Sequence, residues 1–176
     1  MLAVSLTSAT SVAYHAVSMG TYDVAQICEN GHVISHGLKK QPAASRKFCE
    51  ECGAPTLSAC PQCEAHIPGD YIAPNYYSTS YPRPSFCGEC GTPYPWTRKA
   101  VDEFKGLAAL VEGLDAEERE QLAATVDDLV ADSPRTEGAV VRLKLLVPKL
   151  GGEAWGAMKA ILINVATEAA KKQMGL

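Results

Sequence analysis

Apolar and polar positions follow two different patterns along this chain, and the change falls near Arg98. From there onward apolar residues recur at helical spacing. Val101, Phe104, Leu107, Ala108, Val111 and Leu114 fall on one stripe, which predicts an amphipathic helix with one face turned to a core. Asp115 reads as the N-cap of a second helix, with Glu117, Glu118 and Glu120 near its positive dipole end and Leu122, Val126, Leu129 and Val130 as its apolar face. Ser133-Pro134 stops that helix and starts another, because proline is tolerated in a first turn. The third helix carries Val140, Leu143, Leu146 and Val147 on one side and ends at Pro148 and Gly151-Gly152. A fourth runs from about Glu153 with Trp155, Met158, Ile161, Leu162, Val165 and Ala169 inward, and finishes with Lys171 and Lys172 at the negative dipole end. Residues 98–176 are therefore expected to form a small all-α four-helix domain.

Residues 21–97 show no helical periodicity and hold nine of the eleven prolines. Their apolar content is too thin for an ordinary core, so they read as a module of loops and short strands. Residues 1–20 contain no Lys, Arg, Asp or Glu and lack both the positive start and the continuous apolar run of a secretory signal. They are expected to be a disordered leader, or a mis-annotated start with the true one at Met19. The resulting fold class is α+β, short β-hairpins followed by helices. Composition adds two exclusions. No apolar run approaches the roughly 20 residues of a transmembrane helix, and a net charge of −4 excludes a strongly basic nucleic-acid coat.

Cysteine usage explains what could replace the missing core. All seven cysteines lie between Cys28 and Cys90. Three pairs have C-x-x-C spacing (Cys49/Cys52, Cys60/Cys63, Cys87/Cys90), and Cys28 is followed at C-x-x-x-H spacing by His32. With His32 the set becomes eight ligands, the number that two tetrahedral zinc ions require. A C-x-x-C turn aims two thiolates at one point, and Gly53, Gly91 and Gly31 allow the positive φ that such turns use. Pairing consecutive knuckles puts Cys28, His32, Cys49 and Cys52 on one ion and Cys60, Cys63, Cys87 and Cys90 on the other, so the module is expected to be tandem zinc ribbons. The alternative is a cross-brace of first with third and second with fourth; local closure at lower loop entropy favours the consecutive pairing. A disulfide framework would strand one cysteine and require an oxidising compartment, so a cytoplasmic location is expected. His36 is a competing ligand to His32, with poorer spacing; His66 and His15 read as loop residues. Every plausible ligand is used, no position is left open for substrate, and two structural zinc ions with no catalytic residues are expected. A four-thiolate iron site of the rubredoxin kind is a further reading for the second set.

The run Tyr22-Asp23-Val24-Ala25-Gln26-Ile27-Cys28-Glu29-Asn30-Gly31-His32-Val33-Ile34 resembles the opening of the bacterial Domain of Unknown Function 2321 family. The resemblance continues through Lys47-Phe48-Cys49, Cys60-Pro61-Gln62-Cys63, Phe86-Cys87, Pro93-Tyr94-Pro95-Trp96-Thr97 and Ser133-Pro134-Arg135-Thr136 to the final helix, covering about Met19–Leu176. It implies a start near Met19 and supplies no function.

Two further surfaces stand out. Tyr71, Tyr76, Tyr77 and Tyr81 lie in a proline-rich stretch that reads either as a recognition surface, for protein or for stacked single-stranded bases, or as packing around the second zinc site. Lys39, Lys40, Arg46 and Lys47 cluster between the first two knuckles. The five basic residues before Arg98 are outnumbered by seven acidic ones, and thiolate-bound zinc adds further negative charge, which disfavours phosphate binding. The acidic second helix and basic third helix read as solvated faces that attract each other. The expected function is a structural-zinc module that binds a protein partner. A nucleic-acid accessory factor is the alternative, and self-association through the final helix is a further option.

Overall fold

The computed structural model describes residues 20–73 and 80–176. All of the expected leader but Gly20, the Met19 start included, lies outside the described residues, as do Tyr76 and Tyr77. The first half is built from very short strands. β1 (Thr21–Val24) pairs antiparallel with β5 (Pro68–Ile72), placing Tyr22 opposite Tyr71. β2 (Gln26–Cys28) is the centre of a second sheet, flanked by β3 (Val33–Ser35) and β4 (Thr56–Leu57). Proline and turn residues keep these strands to between two and five residues, too little to bury a core by themselves. The core that exists here is small: Ala25, Ile27, Ile67, Tyr94 and Trp96, together with Cys60 and Cys87.

The second half is helical: α1 (Pro95–Leu110), α2 (Ala116–Val130), α3 (Thr136–Leu146), α4 (Gly152–Val165) and α5 (Glu168–Met174). Asp115 caps α2 in a capping box, accepting from the Glu118 N–H while Glu118 returns a bond to the Asp115 N–H. Phe104, Leu122, Val126, Leu129, Leu143, Met158 and Leu162 form the buried core, drawn from the stripes that the periodicity marks.

The helices among the described residues number five where four are expected. The fourth stops at Ala166, whose extended backbone (ψ 151°) hands over to Thr167, and the Thr167 hydroxyl caps α5 by accepting from the Ala170 N–H. Thr167 also gives its own N–H to the Leu129 carbonyl of α2 at 3.0 Å. The break resets the helical phase, so Ala170 is buried and Ala169, expected inward, is exposed.

Helix α1 starts earlier than the apolar stripe suggests. Tyr94 is its N-cap and Pro95 its first residue, the position where a missing N–H costs nothing. Its first turn places Trp96 in the small core, while Phe104 and Ala108 lie in the helical core. A boundary at Arg98 therefore falls inside one continuous helix.

Candidate metal centres

Three of the four knuckles share one local design. Cys49, Cys60 and Cys87 each donate an N–H to a carbonyl five residues on (Ala54, Ala65, Thr92) at 2.8–2.9 Å. The carbonyl of each of these cysteines in turn accepts from the N–H of the residue four places on: Gly53, Glu64 or Gly91. That residue has positive φ in all three, 70° at Gly53 and Gly91 and 62° at Glu64. A one-residue bridge closes each turn (Phe48 with Pro55, Ala59 with His66, Phe86 with Pro93). The first knuckle is wider. Gly31, at φ 93°, donates to the Cys28 carbonyl, and the His32 N–H reaches the Cys28 sulfur at 3.2 Å.

The turns bring the eight side chains into two groups, Cys28, His32, Cys49 and Cys52, and Cys60, Cys63, Cys87 and Cys90; within each, the ligand atoms all lie within 4.8 Å of one another. A tetrahedral ion with metal–sulfur bonds of about 2.3 Å and metal–nitrogen bonds of about 2.0 Å needs S···S edges of about 3.8 Å and N···S edges of about 3.5 Å. The observed S···S separations are 3.8 Å for Cys28–Cys52, 3.8 Å for Cys60–Cys90 and 3.6 Å for Cys63–Cys87. His32 Nδ1 stands 3.6 Å from both Cys28 and Cys49. A disulfide would bring two sulfurs to about 2.05 Å, and all seven cysteines are free. His36 belongs to neither group: its Nδ1 lies 2.6 Å from Asp70 Oδ2.

The surroundings suit charged sulfur. The Ala54 N–H, helped by the His32 and Asn30 side chains, draws the Cys52 thiol down to about 6. Asn30 Nδ2 donates to that sulfur at 3.4 Å. Thr92 draws Cys90 down to about 6, and the N–H groups of Cys90 and Glu89 lower Cys87. Against the Ala65 N–H, which works the other way, loss of water and the three neighbouring thiols push Cys63 up to about 12. Sulfurs packed this closely cannot all ionise without a cation among them, so the donor shell and the spacing fit the same occupant. On the far side of the first group, His32 Nε2 lies 3.6 Å from Glu51 Oε2, which orients the ring with Nδ1 toward the sulfurs.

Comparison with family models decides where the chain belongs: residues 21–174 match DUF2321, described as an uncharacterized protein conserved in bacteria. The chain belongs to the DUF2321 family. Comparisons of it with curated proteins and with solved structures found no match. Both cysteine groups of this DUF2321 chain fall inside the matched segment.

The other expected binding residues of the DUF2321 chain are dispersed. Tyr71 meets Tyr22 across the β1–β5 pair, ring centroids 5.2 Å apart. Tyr81 packs on the small core, its hydroxyl donating to the Pro68 carbonyl at 2.6 Å and its ring stacking on His36. Lys39 Nζ donates to the Tyr22 carbonyl, and Arg46 is engaged by Glu50 and by the carbonyls of Ala43 and Ser45. Lys40 lines a cavity with His36 and Asp70, and Lys47 gives its carbonyl to the Thr56 N–H. The acidic and basic helices do meet: Asp128 of α2 accepts from Arg135 at 2.8 Å and from Arg142 of α3 at 2.9 Å.

Two residues that matter to the centres carry no spacing signal. Arg83 sits between the first knuckle and the helices, and Tyr94 lies in the core against the second group. What marks them in sequence is weak: a single basic residue held between Pro82 and Pro84, and an aromatic placed immediately after a knuckle.

Proposed function

We propose that this chain is a structural-zinc module whose two ions, one on Cys28, His32, Cys49 and Cys52 and one on Cys60, Cys63, Cys87 and Cys90, fix loops that bind a protein partner. The observation that carries the metal part is the pair of four-ligand groups at tetrahedral spacing. Four protein ligands complete each shell and leave no position for substrate, so the metal serves folding and the chain is not an enzyme. Zinc suits the mixed sulfur and nitrogen set of the first group better than iron does. Thiolate sites of this kind are kept reduced in the cytoplasm, where we place the protein. No helix among the described residues is long and apolar enough to cross a membrane.

Support for a protein partner comes from large apolar side chains left in water in the half of the chain that holds the centres. Phe48, next to the ligand Cys49, is 61% exposed, and Tyr22 is 59% exposed. Of the basic residues between the first two knuckles, Lys39 and Arg46 spend their side chains on contacts within the chain, which leaves fewer cations for a phosphate backbone. Metal analysis of the purified full chain is expected to give two zinc per chain. Affinity purification from the native host is expected to recover a stoichiometric protein partner that Phe48→Ser loses. Recovery of nucleic acid in place of protein, released steeply by salt, overturns the partner assignment.

A further inference from the structure

Tyr94 is 1% exposed, and among buried side-chain polar atoms of the described residues its hydroxyl is the one without a hydrogen-bond partner. A buried hydroxyl left without a partner is costly, so its presence calls for a stronger acceptor than a metal-free thiol. The phenol shares the small core with Cys60 and Cys87, and the pairing that closes the last knuckle (Phe86 with Pro93, the Tyr94 N–H on the Ser85 carbonyl) sets Tyr94 on the strand opposite the arm that carries Cys87. A neutral thiol is a weak acceptor, whereas a metal-bound thiolate is a charged one that takes several N–H or O–H donors.

The geometry points to Tyr94 as a positioning residue for the second centre, its hydroxyl donating to the Cys87 thiolate when metal is bound; this rests on the reading that Cys60, Cys63, Cys87 and Cys90 hold an ion. Burial explains why this sulfur needs a side-chain donor. Cys63 and Cys90 are exposed and have water for their remaining lone pairs, while Cys60 and Cys87 are buried and depend on the protein; of these two, Cys87 belongs to the same knuckle as Tyr94. The donor is also held still. The Tyr94 carbonyl accepts from the N–H groups of Thr97 and Arg98 at the start of α1, its N–H donates to Ser85, and its ring stacks on Trp96 at 4.6 Å. The start of the helix and the second centre are thus joined through one side chain.

The test compares full-length wild type with Tyr94→Phe, which keeps the ring and removes only the donor. Each protein is loaded with zinc and, separately, with Co(II), whose sulfur-to-metal bands distinguish the four-sulfur centre from the three-sulfur, one-nitrogen centre. The expected result is a loss of about tenfold in metal affinity at the second centre, a shift of its Co(II) bands and faster alkylation of Cys87, with the first centre unchanged. If the hydroxyl is only an unsatisfied group, Tyr94→Phe leaves affinity, bands and alkylation as in wild type and melts no lower with metal than without it; that result overturns the proposal. A wild-type protein in which added metal does not protect Cys60, Cys63, Cys87 and Cys90 from alkylation overturns both the proposal and the reading of the second centre.

Discussion

Arg83 donates from Nη1 to the carbonyl of Gly31 at 2.5 Å, although the two residues are 52 positions apart. Its Nη2 reaches the Asn164 carbonyl near the end of α4 at 3.3 Å, and the guanidinium lies 5.8 Å from the centre of the Trp96 ring. Lys99 of α1 reinforces the same junction, reaching Glu29 at 3.0 Å and Asn30 at 3.1 Å. Burial lowers the Arg83 pKa, and the charge that opposes this is the Cys28 sulfur. The tip of the first knuckle is therefore clamped onto two helices by a cation that faces the metal group.

Arg83→Met is expected to destabilise the metal-loaded protein by about 2 kcal/mol, the range for hydrogen bonds made by a charged donor. It should also speed metal loss from the first centre to a chelator. Arg83→Lys keeps the charge without the fork and should recover less than half of the stability. Denaturant unfolding of the three proteins checks this, and Arg83→Met unfolding with wild type would remove the clamp.

Glu64 holds a positive φ of 62° at the place where the sister knuckles have Gly53 and Gly91. A side chain in the left-handed region costs about 1–2 kcal/mol. Glu64→Gly is therefore expected to raise stability by about 1 kcal/mol, and Gly53→Ala or Gly91→Ala to lower it by a similar amount. No neighbouring atom lies within 4 Å of a Cβ at either glycine, so the loss would be conformational and not steric. Thermal melts of the loaded variants test the sign.

Asp23 is 2% exposed and accepts from the N–H groups of Val24 at 2.6 Å, Lys39 at 2.7 Å and Lys40 at 3.3 Å. Burial opposes its ionisation, yet these donors together hold the carboxyl below the usual carboxylate range. A depressed folded-state pKa gives stability that is complete above the unfolded value of 3.8 and is lost only as pH falls through the lower folded value. Asp23→Ala should cost about 2 kcal/mol, and the penalty should be equal at pH 7.5 and pH 5.5. A penalty that differs between these two pH values would show that the folded carboxyl is not held below the usual range.

Chelation of the metal is expected to remove the near-UV signal of Trp96 and the tyrosines around the small core. Most far-UV helical signal should stay, because the buried residues of the helical core are distinct from those of the small core. Hydrogen exchange should locate the loss: Ile27 and Ile67 unprotected, Leu122 and Leu129 still protected, and the first turn of α1 opening with the former. Helices lost in full on chelation would mean that the bundle cannot stand without the metal module.

The parts of this fold that repeat at short range are the parts the sequence displays. C-x-x-C spacing and the glycine after it are local geometry, so the knuckles can be read directly, and the stripes of α1 to α3 match the residues buried in the structure. The break at Thr167 is not visible, because what ends α4 there is a hydrogen bond to Leu129 on another helix. Tyr94 and Arg83 are hidden for the same reason. Their roles depend on which surfaces meet across long stretches of chain, and no periodicity records that. The tyrosine-rich stretch shows the converse. Composition groups Tyr71 with Tyr81, but β5 carries Tyr71 to Tyr22 while Tyr81 settles on the small core.

Synthesis order gives the knuckle pairing a further meaning. The farthest partners within each group, Cys28 with Cys52 and Cys60 with Cys90, are 24 and 30 positions apart, and all of them leave the ribosome before α1. Neither centre waits for a helix, so each can take up its ion and close while the rest of the chain is still being made. The emerging Tyr94, Pro95 and Trp96 then meet a surface that is already formed, and α1 winds outward from it. Metal supply during translation, more than metal concentration afterwards, would then set the yield of folded protein.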